Sequence, residues 1–557
     1  MTEQTNEPKD SKRLDLKHPT WLWLIPLAIT VLFDQLFWGK TPGLIFLVTI
    51  LLILVGGFIV ALIEKKRLPW TSWLLLLPIL FGAVMTVLRL EAFTNMANVL
   101  VACYALGLMA ITFLNGEWFT YRLRDVFEGY IKLLISVLIN PIRLVIDVIK
   151  KNGQKSSEEK KAKSRKFSPV LRGLLIALPL VILLGGLLAN ADLIFSSKIE
   201  GLFKWIRIEN FGEFVFRTIY VVILAYALCG AFIFIISQTS EKMAKDNGTP
   251  LVAPFLGKIE ALIVLGAVNL LFLAFLVIQF RYFFGGNANI TFEGFTYAEY
   301  ARKGFFELVT VAIISLLLFF VLSHITKRTE KRDRWIFSIL GILLILQVGV
   351  MLLSAHYRLS LYESAYGFTQ MRTVTHVFIF WLAGILLATV ILEIVNKLQR
   401  IAVVLLLVAL GFMVTLNVIN VDDFIAKQNV AHAMAGNELD TYYLTWNLSE
   451  DATPALFNAY KSGNLDGVIK EKLGAVLACR SAYAQTPSED WSWVSWHGSR
   501  DKAEKLYEEN ANLLTGYGQK DSEENSWTVV VNGEVRSCWD LQNSLDNYQN
   551  NSFLTDS

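Results

Sequence analysis

The sequence predicts an all-α polytopic membrane protein of about 11 transmembrane helices, with a C-terminal soluble, mostly helical domain that ends in a β-hairpin. Three observations carry that expectation. Over 557 residues, 54% are apolar and only 18% charged, with a mean hydropathy of +0.48, which departs from soluble composition in the direction a bilayer demands. Apolar runs of about 20 residues, the length needed to cross a hydrocarbon core of about 30 Å as a helix, recur along the first three quarters of the chain. After position 418 the composition changes: residues 419–557 hold 10 Lys and Arg against 21 Asp and Glu, whereas residues 1–418 hold 41 against 27.

In chain order, a polar N-terminal tail (1–20) precedes a first apolar run with no small-residue cleavage site after it, so that run reads as a retained span. The spans are expected near 20–38, 42–63, 70–88, 97–116, 168–190, 214–237, 259–280, 304–323, 335–354, 373–393 and 400–418. They group into a first bundle of four spans (21–125) and a second of seven (168–418). Between them, residues 126–167 form an amphipathic segment and a basic linker. In YIKLLISVLINPIRLVIDVI (130–149), Lys132, Ser136, Asn140, Arg143 and Asp147 share one helical face. A helix of that kind suits the membrane interface, lying in plane. The Lys151–Lys166 run reads as a solvated cytoplasmic tether, in contact with anionic lipid rather than nucleic acid.

Orientation follows from Lys and Arg, which are retained on the cytoplasmic side. With the N terminus inside, the inner segments hold 30 of the 41 positive residues that precede position 419, including Lys65, Lys66, Arg67 and the Lys327–Arg334 cluster. An odd number of spans then places the tail (419–557) outside the cell membrane. Its helices are expected at Asp422–Ala435, Ala452–Lys461, Leu465–Ala484 and Arg500–Leu514. SWTVVVNGEVRSCW sets two β-prone runs around Asn532-Gly533, the pair that supplies the positive φ angles of a two-residue turn. Cys479 and Cys538 are the cysteines of this soluble part. An oxidising exterior would bridge them, and two free thiols fit the sequence equally well.

Candidate functional residues concentrate in HYRLSLYESAYGFTQMR (356–372), which reads as a polar, aromatic insert between two apolar runs. With span ends carrying QFRYFFGG (279–286) and TYAEYARKGFFEL (296–308), it suggests one outward-facing layer of Arg281, Glu299, Arg302, Glu307, Arg358, Tyr362, Glu363, Tyr366 and Arg372, joined by Asp34 at the end of the first span. Ionisable groups at membrane depth mark ligand paths when they are not merely headgroup anchors. His356 and His376 flank the stretch. No histidine pair has metal-ligand spacing, and there is no CxxC, Walker loop, dinucleotide fingerprint or GxSxG elbow, so the sequence names no catalytic residue, no metal and no cofactor. WSWVSWH (491–497) reads as buried core or as a membrane-facing or partner-facing patch.

Those three motifs, with LFDQLFWGK (32–40), NADLIF (190–195), DDFIAKQNVAHA (422–433) and LDTYYLTWNLSEDATPAL (439–456), resemble the bacterial membrane proteins of domain-of-unknown-function family 4173. The resemblance covers most of the chain and implies a polytopic fold without an assigned reaction. Three functions remain: a non-enzymatic envelope sensor or binding protein that meets an external ligand or protein partner; a transporter of a small solute or lipid; and a membrane-bound transferase acting at the outer face with Asp34 or Glu363 as base. The sequence does not fix an oligomeric state.

Overall fold

A computed structural model describes residues 18–40, 43–154, 188, 211–237, 254–284, 305–328, 330–484, 492–520, 527–531 and 534–538. Helices occupy the apolar runs: α1 Trp21–Phe37, α2 Ile45–Ile63, α3 Trp70–Trp73, α4 Leu76–Leu88, α5 Ala92–Ile111, α6 Leu123–Gln154, α7 Phe211–Ser237, α8 Lys258–Phe284, α9 Phe305–Ile325, α10 Lys331–Tyr366, α11 Gln370–Ile394 and α12 Ile401–Ile419. Among the described residues, nine helices are long and apolar enough to cross a membrane, counting Trp70–Leu88 as one, and α1 is a shorter apolar helix of 17 residues. The chain is thus a predominantly helical, polytopic membrane protein. The span expected at 168–190 lies outside the described residues except for Leu188, so the expected count of 11 is not reached among them. Helix ends follow local chemistry. Asn396 and Asn420, with φ of 53°, stop α11 and α12, since asparagine tolerates the left-handed region better than other non-glycine residues.

The helices divide into two compact units. The first comprises residues 1–77, 105–118 and 124–244. In it α1 packs on α2 and α7, and Gly56 allows the close approach, because a Cβ there would lie 2.5 Å from Ile29 Cδ1. The polar stripe of α6 does not face solvent in its middle. Ser136 is buried and donates to Gly230 O of α7 at 3.1 Å, while Leu134, Leu138 and Ile142 on the apolar side are exposed. A glycine at 230 is required, since a Cβ would meet the Val137 backbone at 2.5 Å. Small residues permit such backbone contact between membrane helices.

The second unit comprises residues 78–104, 119–123 and 245–557. Helices α8, α9 and α10 bury a shared core that includes Leu265, Phe319, Phe337, Leu344 and Met351. Asn269 donates to Leu340 O at 3.1 Å and Gln347 to Asn269 O at 3.2 Å, so these span residues join helices. The tail forms α13 Val421–Met434, a π-helical turn Tyr443–Asn447, α14 Thr453–Lys461, α15 Gly467–Ala484, α16 Gly498–Glu509 and α17 Ala511–Leu514. Strands β1 Gly518–Lys520, β2 Trp527–Val531 and β3 Glu534–Ser537 make an antiparallel sheet of order β1-β2-β3, with Val530 opposite Val535; Asn532 and Gly533 lie outside the described residues. Cys479 of α15 is bonded to Cys538 beyond β3, with Cα atoms 5.9 Å apart.

Val374 and Val377 of α11, Leu416 of α12 and Ala97 of α5 belong to the same buried cluster as Ile425, Leu456, Leu477 and Tyr507 of the tail. Apolar burial is non-directional and cooperative across contiguous packed side chains. The tail helices therefore share their core with the ends of three membrane helices.

Candidate functional site

The stretch 356–372 is not an insert. α10 runs unbroken for 36 residues, about 54 Å at 1.5 Å per residue, so it exceeds a bilayer core of about 30 Å and carries its polar C-terminal turns out of the apolar layer. The polar residues leave the helix intact because Arg, Leu, Tyr and Glu all propagate helices when water or partners take their heads. Gly367 ends it. Its φ is +73°, its N–H donates to Glu363 O at 2.8 Å, and a Cβ there would lie 2.9 Å from Asn429 Oδ1. Two residues later α11 returns, forming a helical hairpin with 356–372 at its tip.

On this hairpin, His356 and Glu363 stand two turns apart on one face of α10, and His376 of α11 bridges them. His376 Nε2 lies 2.7 Å from Glu363 Oε2, and its Nδ1 lies 2.9 Å from His356 Nδ1; the two rings meet edge to face at 4.7 Å. A carboxylate only accepts, so His376 donates through Nε2. Between the facing Nδ1 atoms one ring must donate and the other accept. Three groups thus form a hydrogen-bonded line from exposed His356 to buried Glu363, whose Oε1 is buried without a hydrogen-bond partner. The line does not converge on one point, and no group of three metal-capable side chains occurs among the described residues.

The other expected residues distribute as follows. Arg372 lies over the Tyr362 ring at 4.0 Å and donates to Gly367 O at 2.6 Å, and Tyr362 packs on Tyr366 at 5.1 Å; these close the hairpin tip. Arg358 is half-buried on α10. Glu307 is exposed in the first turn of α9. Arg281 lies in the last turn of α8 with its side chain outside the described set, and Glu299 and Arg302 lie outside the described residues altogether. Asp34 belongs to the first unit, where it is fully engaged. It accepts from Arg217 Nε at 3.0 Å and Nη2 at 2.6 Å, and from the Tyr220 hydroxyl. Glu213 accepts from Trp38 Nε1 and from Arg217. This is a charged staple between α1 and α7, with bidentate geometry that favours Arg over Lys.

Sequence reasoning missed the polar set that seats the tail on the span ends. Asn429 of α13 clasps the hairpin turn, accepting from Phe368 N at 2.7 Å and donating to Phe368 O at 2.9 Å. His432 Nε2 lies 3.0 Å from Ser364 O. Tyr443 OH accepts from Gln370 N, and Gln370 Nε2 donates to Asp422 Oδ1 at 2.7 Å. Asp422 also accepts from Ser449 N at 2.7 Å. Burial pushes its carboxyl up to about 6, against those hydrogen bonds and with added repulsion from Glu91. On the α4–α5 turn, Asp451 accepts from Leu90 N at 2.6 Å and Glu91 N at 3.1 Å and pairs with Arg89 at 3.7 Å; Arg89 also donates to Asn417 O at 2.9 Å. Asn429 and His432 lie in DDFIAKQNVAHA, a motif the sequence singled out without its partner. Asp451 lies in LDTYYLTWNLSEDATPAL, likewise singled out, but its partner Arg89 is 362 residues away and no local signal pairs them.

No curated protein and no solved structure matches this chain. One family model does, over residues 76–459, described as Domain of unknown function (DUF4153). That agrees with a domain-of-unknown-function family and bears a different number from the one the motifs resemble. The match runs past the last span through α13 and most of α14, so the seated tail helices lie inside the family domain. Covering more than two thirds of the sequence, it places this chain in the DUF4153 family.

Proposed function

We propose that this protein is a non-enzymatic envelope sensor or binding protein, multi-pass in the cell membrane, with its N terminus cytoplasmic and residues 419–557 extracytoplasmic. The observation that carries the reading is the hydrophobic core common to the tail and the ends of α5, α11 and α12. A ligand or protein that shifts the tail must repack that core, because packed interiors rearrange between discrete states rather than deform. The Asn429 clasp and the Gln370–Asp422 bond deliver such a shift to the α10–α11 hairpin, where Glu363, His376 and His356 stand. The charge bias of the loops supports the sidedness, and the Cys479–Cys538 bond belongs in an oxidising compartment. In this reading 21–125 and 168–418 are the two membrane bundles, and 126–167 is the cytoplasmic in-plane helix and linker.

The test is Asn429→Ala in the full chain in lipid nanodiscs, read by hydrogen exchange. Coupling predicts faster exchange both in α13 and in Thr373–Phe380, beyond the Phe368 groups that Asn429 hydrogen-bonds. A change confined to α13 and the Phe368 turn would refute it.

A further inference from the structure

The segment Ser492–Ser499 places two tryptophans where a soluble domain has little use for them. Trp493–Ser495 is a single 3₁₀ turn closed by Ser492 and Ser495. Val494 and Ser495 are buried, yet Trp493 is 58% and Trp496 38% exposed. Two large exposed aromatics within four residues of one another mark a contact surface.

The neighbouring residues say what that surface meets. His497 Nε2 lies 3.1 Å from Thr86 O, and because a carbonyl only accepts, the ring donates there. Ser499 Oγ lies 2.8 Å from Leu88 O and also against Asp451 Oδ1, with one proton between the two acceptors. Thr86 and Leu88 form the last turn of a membrane-length helix, whose terminal carbonyls lack partners within the helix; the tail supplies them. Gly498 sits directly on the Leu88 side chain, with a Cβ position 3.0 Å from Leu88 Cδ2. Leu88 and Val84 one turn below it are themselves exposed, as are Met96 and Leu100 one turn apart on α5. At membrane depth, exposed apolar stripes of this spacing face acyl chains. The Trp turn therefore continues a lipid-facing stripe at the level where that stripe ends. Tryptophan, apolar in its ring and polar at its N–H, concentrates at the headgroup level.

We propose that Trp493 and Trp496 insert into the headgroup and carbonyl region of the phospholipid leaflet around the α4–α5 end, so that this part of the tail lies on the membrane surface. The placement holds whichever side of the membrane the tail occupies, so it stands apart from the sensor reading.

The experiment uses the full chain in nanodiscs of phosphatidylcholine and phosphatidylglycerol, with Cys103→Ser and Cys229→Ala removing the unpaired thiols and a nitroxide carried on Trp493→Cys. Collisional relaxation by oxygen and by a water-soluble nickel chelate reports depth. The insertion predicts nickel accessibility several-fold below that of the free label in buffer, with oxygen accessibility retained. Nickel accessibility equal to the free label would overturn it. So would low accessibility to both reagents with dipolar broadening between labels, which would mark a second copy on this surface. Trp496→Cys carries the same label and the same outcomes if Trp493→Cys does not fold.

Discussion

Asp422 offers a stability experiment whose sign is set by the structure. Its side chain is fully buried between α13 and the hairpin, and burial raises its carboxyl from 3.8 to about 6, with Glu91 repelling the charged form and bonds from Gln370 and Ser449 opposing the rise. The folded state therefore holds a proton that the unfolded state has released between pH 3.8 and about 6. Stability from this group is fully present below pH 3.8 and is lost as pH rises through about 6, after which it stays level. A shift of about 2 units at 1.36 kcal/mol each amounts to about 3 kcal/mol. Asp422→Asn removes the titration while keeping one oxygen for Ser449 N. Opening free energies of α13 amides, from hydrogen exchange corrected for intrinsic rates, should fall by about 2 kcal/mol in the wild type relative to Asp422→Asn between pH 4 and 6.5, the rest of the loss lying below pH 4. A difference curve that is flat, or that rises with pH, would refute the assignment of burial as the dominant influence.

Three further outcomes follow from the same geometry. Arg480 is buried and donates to Leu444 O, Leu448 O and Ser449 O at 2.7–2.9 Å, with Glu450 at 3.4 Å; Arg480→Ala leaves those carbonyls without their donor and Glu450 without its charge partner, and should cost about 3 kcal/mol in domain stability, read by limited proteolysis of the tail. The Cys479–Cys538 bond closes a separation of 59 residues, so Cys538→Ser should lower stability by about 4 kcal/mol on the chain-entropy model; finding both thiols alkylatable in unreduced protein would remove the bond from the account. For the Glu363–His376–His356 line, the sensor reading predicts equal proton leak into pyranine-loaded proteoliposomes for wild type and Glu363→Gln, whereas a flux lost only in the variant would favour a proton-coupled transporter.

What the sequence showed plainly was whatever repeats locally. Apolar runs and their breaks are short-range signals, and they located α2, α9 and α12 to within a few residues, while α5 begins and ends five residues before the expected 97–116. The polar turns of α10 misled because composition was read as a break in structure; residues from His356 to Tyr366 propagate a helix perfectly well once it leaves the apolar layer, and only Gly367 could stop it. Asp34 was recognised as costly without a partner, but Arg217 sits 183 positions away and no periodicity connects them. The same holds for Asp451 with the Leu90 and Glu91 amides. Strand β1 and the π-helical turn at Tyr443–Asn447 went unseen because a three-residue strand and a single wide turn fall below any pattern. The change of charge at 419 marks the tail as a separate soluble domain, whereas its core is shared with Val374, Val377 and Leu416, which look like ordinary span residues.

The most direct measurement of the central claim is the sidedness of the seated tail in sealed cells. With Cys103→Ser and Cys229→Ala, a membrane-impermeant maleimide should label Glu508→Cys, exposed on α16, without permeabilisation, and should reach Lys66→Cys, exposed after α2, only after it. Labelling of Lys66→Cys in sealed cells with Glu508→Cys protected would put the tail and the hairpin it clasps in the cytoplasm, and would contradict an envelope sensor.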